Sequence, residues 1–257
     1  MNPFRKSEID ATLSRIGMAQ ADGYGLLIRR RKGPGDGWFL ASELGLGGQA
    51  PAVLLANVRG LTEPPADYIR AEWMLESVAR AVADLGGSFL VAARRLPDLS
   101  PENILLAAEG GLVRATGMIS DRMTVVEGDP AMGQDGITDA ARWEELADLF
   151  RIGFIDLLHP LVGWLDEKGL RPEKTLWHAA ADRLAQSLVW SGKAFEQHQF
   201  ARAITERVIG GDPRLEIPLE TDEDEYGDRY HLRATCCLAY RTPEGGLCRA
   251  CPLQKTA

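Results

Sequence analysis

All four cysteines of this 257-residue chain fall within sixteen positions near its C-terminus: Cys236, Cys237, Cys248 and Cys251. The pattern is a contiguous pair, ten residues, a third cysteine, two residues and a fourth. Thiols gathered in this way serve a disulfide pair, a structural zinc held by four thiolates, or an iron–sulfur cluster. A disulfide needs an oxidising compartment, and nothing in the chain points to one. Four-cysteine zinc sites use two short C-x₂₋₄-C loops that bend round one tetrahedral ion. Here one pair is contiguous. Neighbouring Cα atoms stand about 3.8 Å apart with their side chains splayed, so gripping a single ion with both is awkward. A cluster with two irons spreads its ligands more widely, which puts iron–sulfur first and leaves zinc as the alternative.

Composition narrows the setting. Hydrophobic residues at 45% and charged residues at 26% suffice for a sizeable core, as one large domain or a domain with a small appendix. A net charge of −8 argues against a general nucleic-acid binder, which would carry a basic face. The opening Met-Asn-Pro-Phe-Arg-Lys-Ser-Glu-Ile-Asp has no apolar run of the secretory kind. The run from Ile152 to Leu165 is interrupted by Asp156, His159 and Pro160, and falls short of a membrane span. The expected location is therefore the cytoplasm, where thiols stay reduced and can bind metal, with a peripheral membrane contact left open.

Periodicity predicts mixed α and β structure in residues 1–135. Ile9, Leu13 and Ile16 recur at helical spacing after Ser7, a plausible N-cap. Tyr24–Ile28 reads as a strand, and Trp38–Ala41 as its hairpin partner across Gly33-Pro-Gly-Asp-Gly37. Arg29-Arg-Arg-Lys32 reads as a solvated hairpin end, or else as a dock for an anionic ligand or headgroups. Gly45-Leu-Gly-Gly48 lacks a lysine and a strand-to-helix setting, so it reads as a loop. Pro51–Val58 fits a strand or a short helix. A helix follows Pro64-Pro65 to about Asp84, with Gly86-Gly87 as its stop and Ser88–Ala93 as a strand. Further β-leaning runs are Asn103–Leu106, Gly111–Ala115 and Met123–Glu127, and residues 128–137 form the clearest internal boundary.

Residues 136–210 turn helical. One helix begins at Thr138 or Asp139, and the stretch Phe154–Leu165 is bent or restarted at Pro160. Gly169 closes it. Pro172 opens a long helix carrying Trp177, Ala181, Leu184 and Leu188, and a shorter one spans Phe195–Val208. Trp73, Trp143, Trp164 and Trp177 read as core anchors rather than a cofactor box. Residues 211–257, with 218–257 at their centre, form the cysteine-bearing segment. Its acidic run Glu220–Glu225 reads as a solvated loop, or as a docking surface for a basic partner. The upstream helices must supply the wall against which this segment folds.

No Walker loop, nucleophile elbow, His-Glu-x-x-His helix or nicotinamide or flavin fingerprint is present. Among the histidines, His178 and His198 read as surface or satisfied core residues. His231 alone falls near the cysteines; a supporting or proton-relay role is favoured over ligation, and the leading reading is neither.

The flanks Arg233-Ala-Thr-Cys-Cys-Leu-Ala-Tyr240 and Gly245-Gly-Leu-Cys-Arg-Ala-Cys-Pro-Leu253 complete a pattern that resembles the signature of the FhuF-type ferric siderophore reductases. The resemblance implies a 2Fe–2S cluster ligated by Cys236, Cys237, Cys248 and Cys251. It implies one-electron reduction of a ferric siderophore in the cytoplasm, releasing Fe(II). The electron would come from a separate ferredoxin, flavodoxin or NAD(P)H-dependent reductase. The implied fold is α+β, similar to the C-terminal region of siderophore synthetases, with a terminal iron–sulfur segment. Backbone N–H groups of Gly245, Gly246 and the Cys248–Cys251 turn are candidate donors to the cluster sulfurs. Arg233, Arg241 and Arg249 could bind an anionic chelate or simply stand in solvent. Two other readings remain open: a binding module stapled by zinc, and an iron–sulfur sensor or carrier without a substrate pocket.

Overall fold

The helix that starts at Asp67 does not stop at Gly86-Gly87; it runs through them to Ala93. A side chain at Gly86 would stand 2.3 Å from the Phe150 ring, and one at Gly87 would stand 3.2 Å from Leu188. The two glycines therefore admit neighbouring helices at close range instead of ending their own. The stop comes at Arg94, whose left-handed φ of 55° closes the helix where glycine usually would. The expected strand over Ser88–Ala93 is accordingly helix.

A computed structural model describes residues 8–21, 27–45, 47–60 and 63–256, and the fold is α+β. In chain order come α1 (Glu8–Ala21), β1 (Leu27–Arg30), β2 (Trp38–Leu40), α2 (Ala50–Asn57), α3 (Asp67–Ala93) and β3 (Arg95–Pro97). Then follow β4 (Ile104–Glu109), β5 (Leu112–Met118), β6 (Met123–Val126) and β7 (Ile137–Ala141). The second half holds α4 (Trp143–Glu167), α5 (Glu173–Ala194), α6 (His198–Gly210), and the short hairpin β8 (Thr221–Glu223) and β9 (Arg229–His231). Ser7 and Tyr24 lie outside the described residues.

The first two strands are not a hairpin. The sheet order is β1-β5-β4-β2, with β1 parallel to β5 and β2 antiparallel to β4. The tight hairpin β4–β5 takes the centre because Ile104, Leu105, Leu106, Val113 and Met118 are all buried. Such runs need cover on both faces, which leaves the Arg-rich β1 for an edge. A second sheet, β3-β6-β7, absorbs Thr138 and Asp139 as strand residues, so α4 begins only at Trp143. Pro160 does not restart α4, which runs unbroken from Trp143 to Glu167. The buried row Phe154, Leu158, Leu161, Val162 and Leu165 continues across it and holds the helix together.

α3 is buried along most of its length, and α5 packs against it. Around this pair one apolar core runs from Ile16 to Ile217, and among the described residues nothing after Ile217 joins it. Among the described residues no helix is long and apolar enough to cross a membrane.

Glycine substitutions separate close packing from propensity. Gly86→Ala should lower stability by about 1–3 kcal/mol, because a new carbon in a filled core forces its neighbours aside. Gly163→Ala on α4, where nothing lies within 4 Å, should raise it by about 0.5–1 kcal/mol through helix propensity alone. Urea unfolding followed by far-ultraviolet circular dichroism measures both. Equal effects of one sign would contradict the close-contact account.

Candidate metal centre

The segment after Ile217 reaches the helical body through charge. Asp182 on α5 is 1% exposed and accepts four hydrogen bonds from this segment. They come from Ala234 N–H at 2.8 Å, Thr235 N–H at 2.9 Å, the Thr235 hydroxyl at 2.6 Å and His231 Nε2 at 2.9 Å. A carboxylate only accepts, so the His231 ring nitrogen facing it is the protonated one. The His231 N–H is taken by Gln186 Oε1 at 2.8 Å. His231 is thus a strut of the segment, turned to α5 rather than to the thiols.

One turn-pair of acids on α3 completes the seat. Arg233 donates to Glu76 and, through Nε, to the Thr235 carbonyl at 3.0 Å. Arg183 of α5 also donates to Glu76, with Nε at 3.0 Å, and Arg171 donates to Glu72 at 3.1 Å. Arg233 is therefore committed to a buried ion pair and does not face a chelate. Burial alone would raise Glu76, but Arg233 and then Arg183 outweigh it and hold this carboxyl below its ordinary range. Glu72, one turn away, goes the other way. Burial, then repulsion from Glu76, push it from 4.5 to about 7, against the pull of Arg171 and Arg233. Among the described residues its Oε1 has no hydrogen-bond partner.

The cysteines sit on this foundation. Trp73, beside Glu72 on α3, donates its indole N–H to the Cys237 carbonyl at 2.8 Å. The Arg233 N–H donates to the Ala250 carbonyl at 3.1 Å, which lays the two cysteine-bearing ends side by side. Cys237 and Cys248 face each other with sulfurs 3.9 Å apart, and Cys236 and Cys251 lie on the same two stretches of chain. All four are free thiols. Two thiolates on one tetrahedral metal at about 2.3 Å each lie about 3.8 Å apart, so the Cys237–Cys248 separation suits one shared metal. Among the described residues no three His, Cys, Asp or Glu side chains converge as a single ion requires.

Local electrostatics favour thiolate at Cys237 and thiol at Cys248. The hydrogen bond with Cys248 lowers Cys237 to about 6 despite burial, helped by the Ala239 N–H and the Arg233 charge. Cys248 is correspondingly pushed far up, by the same bond and then by burial. Burial raises Cys236, and the Leu238 N–H at 3.4 Å from its sulfur opposes that. The N–H donors at the sulfurs are thus those of Leu238 and Ala239. Gly245 and Cys251 spend theirs on the carbonyls of Thr242 and Cys248, against expectation. Leu238 itself holds a left-handed φ of 61°, which turns the chain sharply after the contiguous pair. Of the other arginines, Arg249 pairs with Asp224 at 2.5 Å and Arg241 reaches Tyr240 and Tyr68.

Trp73, Glu72, Glu76, Asp182, Arg171 and Arg183 were not visible as site residues in the sequence. The available signal was the pair Glu72 and Glu76 at i, i+4 on the same stripe as Ile69 and Trp73, a place where acids are rarely left unpaired.

Residues 233–253 match the family model described as the FhuF 2Fe-2S C-terminal domain, which indicates a 2Fe–2S cluster. Among solved structures the chain is similar to aerobactin synthetase IucC from a hypervirulent pathotype of Klebsiella pneumoniae. Identity is 17% and the TM-score 0.48, over 65% of this chain and 31% of that one, so the chain spans under a third of that synthetase. Among curated proteins none matches.

Two outcomes check this geometry. A side chain at Gly245 would place its carbon 1.6 Å from the Ala239 carbonyl oxygen, so Gly245→Ala should strip the metal while leaving far-ultraviolet helicity intact. Full metal content in that variant would contradict the packing described. Glu72, neutral more readily when folded, adds stability that is complete below pH 4.5 and is lost as pH rises through about 7. Glu72→Gln should therefore flatten the fall of the urea midpoint between pH 5 and 8, and an unchanged slope would show that Glu72 is not its source.

Proposed function

With a C-terminal segment of the FhuF 2Fe–2S type as the premise, we propose that this chain is a ferric siderophore reductase of the cytoplasm. Cys236, Cys237, Cys248 and Cys251 would hold the cluster, which would supply one-electron chemistry there. The observation that carries the reading is the gathering of all four thiols on the matched segment, with the Cys237 and Cys248 sulfurs 3.9 Å apart. The match to the 2Fe–2S segment favours a two-iron centre over the zinc-stapled module. An iron–sulfur function related to siderophore iron is what the family match supports; the reductase activity is the step added here.

When bound, a 2Fe–2S cluster accepts and gives one electron at a time. The chain's own residues prepare for it. Arg233 sets a fixed positive charge beside the thiolates, and its ion pair with Glu76 keeps that charge in place. The Leu238 and Ala239 N–H groups point at sulfur, a contact that stabilises negative charge there. Trp73 and Asp182 fix the two ends of the loop from α3 and α5. Siderophores bind Fe(III) through hard oxygen donors, and Fe(II), larger and less charged, fits them poorly. One electron thus loosens the iron: Fe(III)–chelate plus an electron gives Fe(II) and free chelator. The electron comes from a separate reductant, a ferredoxin, flavodoxin or NAD(P)H-dependent reductase.

The test is the visible and EPR spectrum of anaerobically purified protein before and after dithionite, followed by single-turnover mixing with ferric chelates. A rhombic S = 1/2 signal on reduction, bleached by a ferric siderophore, is expected. Cys248→Ser should lose the signal and the turnover while keeping its helicity. A colourless protein holding one zinc per chain, after expression with ample iron, would overturn the reading. An EPR signal that no ferric chelate bleaches would leave a sensor or carrier instead.

A further inference from the structure

A cleft of about 690 Å³ lies between α5, α6 and the β8–β9 hairpin, within the range of roughly 300–1,000 Å³ usual for small-molecule sites. Its charged lining is Lys193, Arg202 and Arg229 against Glu206 alone, with His198 beside them. The lining thus holds more cations than carboxylates, with Asp228 and Glu223 just outside it. Each cation has a carboxylate at hand: Lys193 with Asp228, Arg202 with Glu206 and Arg229 with Glu223. The two arginine pairs lie in water, with Arg202 81% and Arg229 62% exposed, so these are weak, screened partners that an incoming anion can displace.

The wall of the cleft leads to the thiols. His231 is a lining residue, and its ring bonds Asp182, which in turn holds the N–H of Thr235, the residue before Cys236. A ligand against that wall is separated from the cysteine loop by two side chains joined by hydrogen bonds. A second groove of about 480 Å³, lined by Asp98, Arg122 and Asp156 among others, touches no residue of the cysteine segment.

We propose that the α5–α6–hairpin cleft binds the iron chelate, and that it takes an oxygen-donor chelate of net negative charge, of the citrate or catecholate kind. This rests on the reductase reading for its purpose. A 2Fe–2S centre held by the four cysteines would supply the one electron, received from the external reductant, that converts chelated Fe(III) to Fe(II). No bond to the protein forms or breaks. Arg202 and Arg229 hold the chelate's carboxylate or phenolate oxygens, and Lys193 sits deeper behind them.

Redox-inert gallium(III) complexes separate binding from reduction. Calorimetric titration of the cluster-loaded protein should show gallium(III) dicitrate or a gallium(III) tris-catecholate binding at least tenfold more tightly than a neutral gallium(III) tris-hydroxamate. The double variant Arg202→Glu/Arg229→Glu should lose at least tenfold for the anionic complexes, with the cluster spectrum unchanged. Arg122→Glu, in the other groove, should bind as the unaltered protein does. No binding of either anionic complex, equal binding of the neutral one, or an unaffected double variant would each overturn the proposal. Reduction of the matching Fe(III) complexes reads the other question. Binding without turnover sinks the reductase and keeps the cleft, whereas turnover undiminished in the double variant sinks the cleft and keeps the reductase.

Discussion

The carboxylate of Asp182 governs how the C-terminal segment lies. Beyond Leu219 the buried residues are His231, Arg233 and Thr235, with only Leu238 and Cys251 as apolar or sulfur-bearing company. A segment so poor in apolar contact has little hydrophobic gain to hold it against the body. What holds it is a set of directional bonds, four of them converging on one buried acid, with Arg233 bridging to Glu76 on the facing helix. Buried charge of this kind adds modestly to net stability, and its removal on one side alone is severe. Its contribution is positional, because only one register of the segment satisfies every donor at once.

Those bonds also tie α3 and α5 to one another. Glu76 and Asp182 face each other across the contact between the two helices, and Arg233 reaches both, with Nε 3.9 Å from Asp182. The glycines that let Phe150 and Leu188 in against α3 are therefore part of the same arrangement as the cysteines far along the chain. Trp73 joins the two levels directly, packed partly into the core at its ring and bonded to Cys237 at its nitrogen. Close packing of the body and placement of the thiols depend on one another.

The α+β class, the helical second half and the cysteine cluster were legible because each rests on a local pattern. α5 announced itself through Pro172 at its start and the spacing of Trp177, Leu184 and Leu188. Readings that depended on a partner elsewhere in the chain went astray. Gly86-Gly87 carries the local mark of a helix end, and only the distant Phe150 shows why the helix continues. Trp38–Leu40 looked like the partner of β1 because the two are near in sequence, but the more apolar β4–β5 hairpin claimed the space between them. The buried acids were hidden for a similar reason. Glutamate on a helix reads as solvated until Arg183 and Arg233, more than a hundred residues later, arrive to pair with it.

The apolar core closes at Ile217, before the first cysteine is reached, and the seat for the thiols is made of groups on α3, α5 and the segment's own backbone. This sets an order of assembly. The body can be finished while its thiols are still empty-handed, and metal insertion becomes the last event in maturation rather than the condition for it. Oxidative damage to an iron centre then leaves a folded chain with its thiols still gathered. Such a chain keeps its seat for a new cluster, because the groups that make the seat belong to α3, α5 and the segment's own backbone.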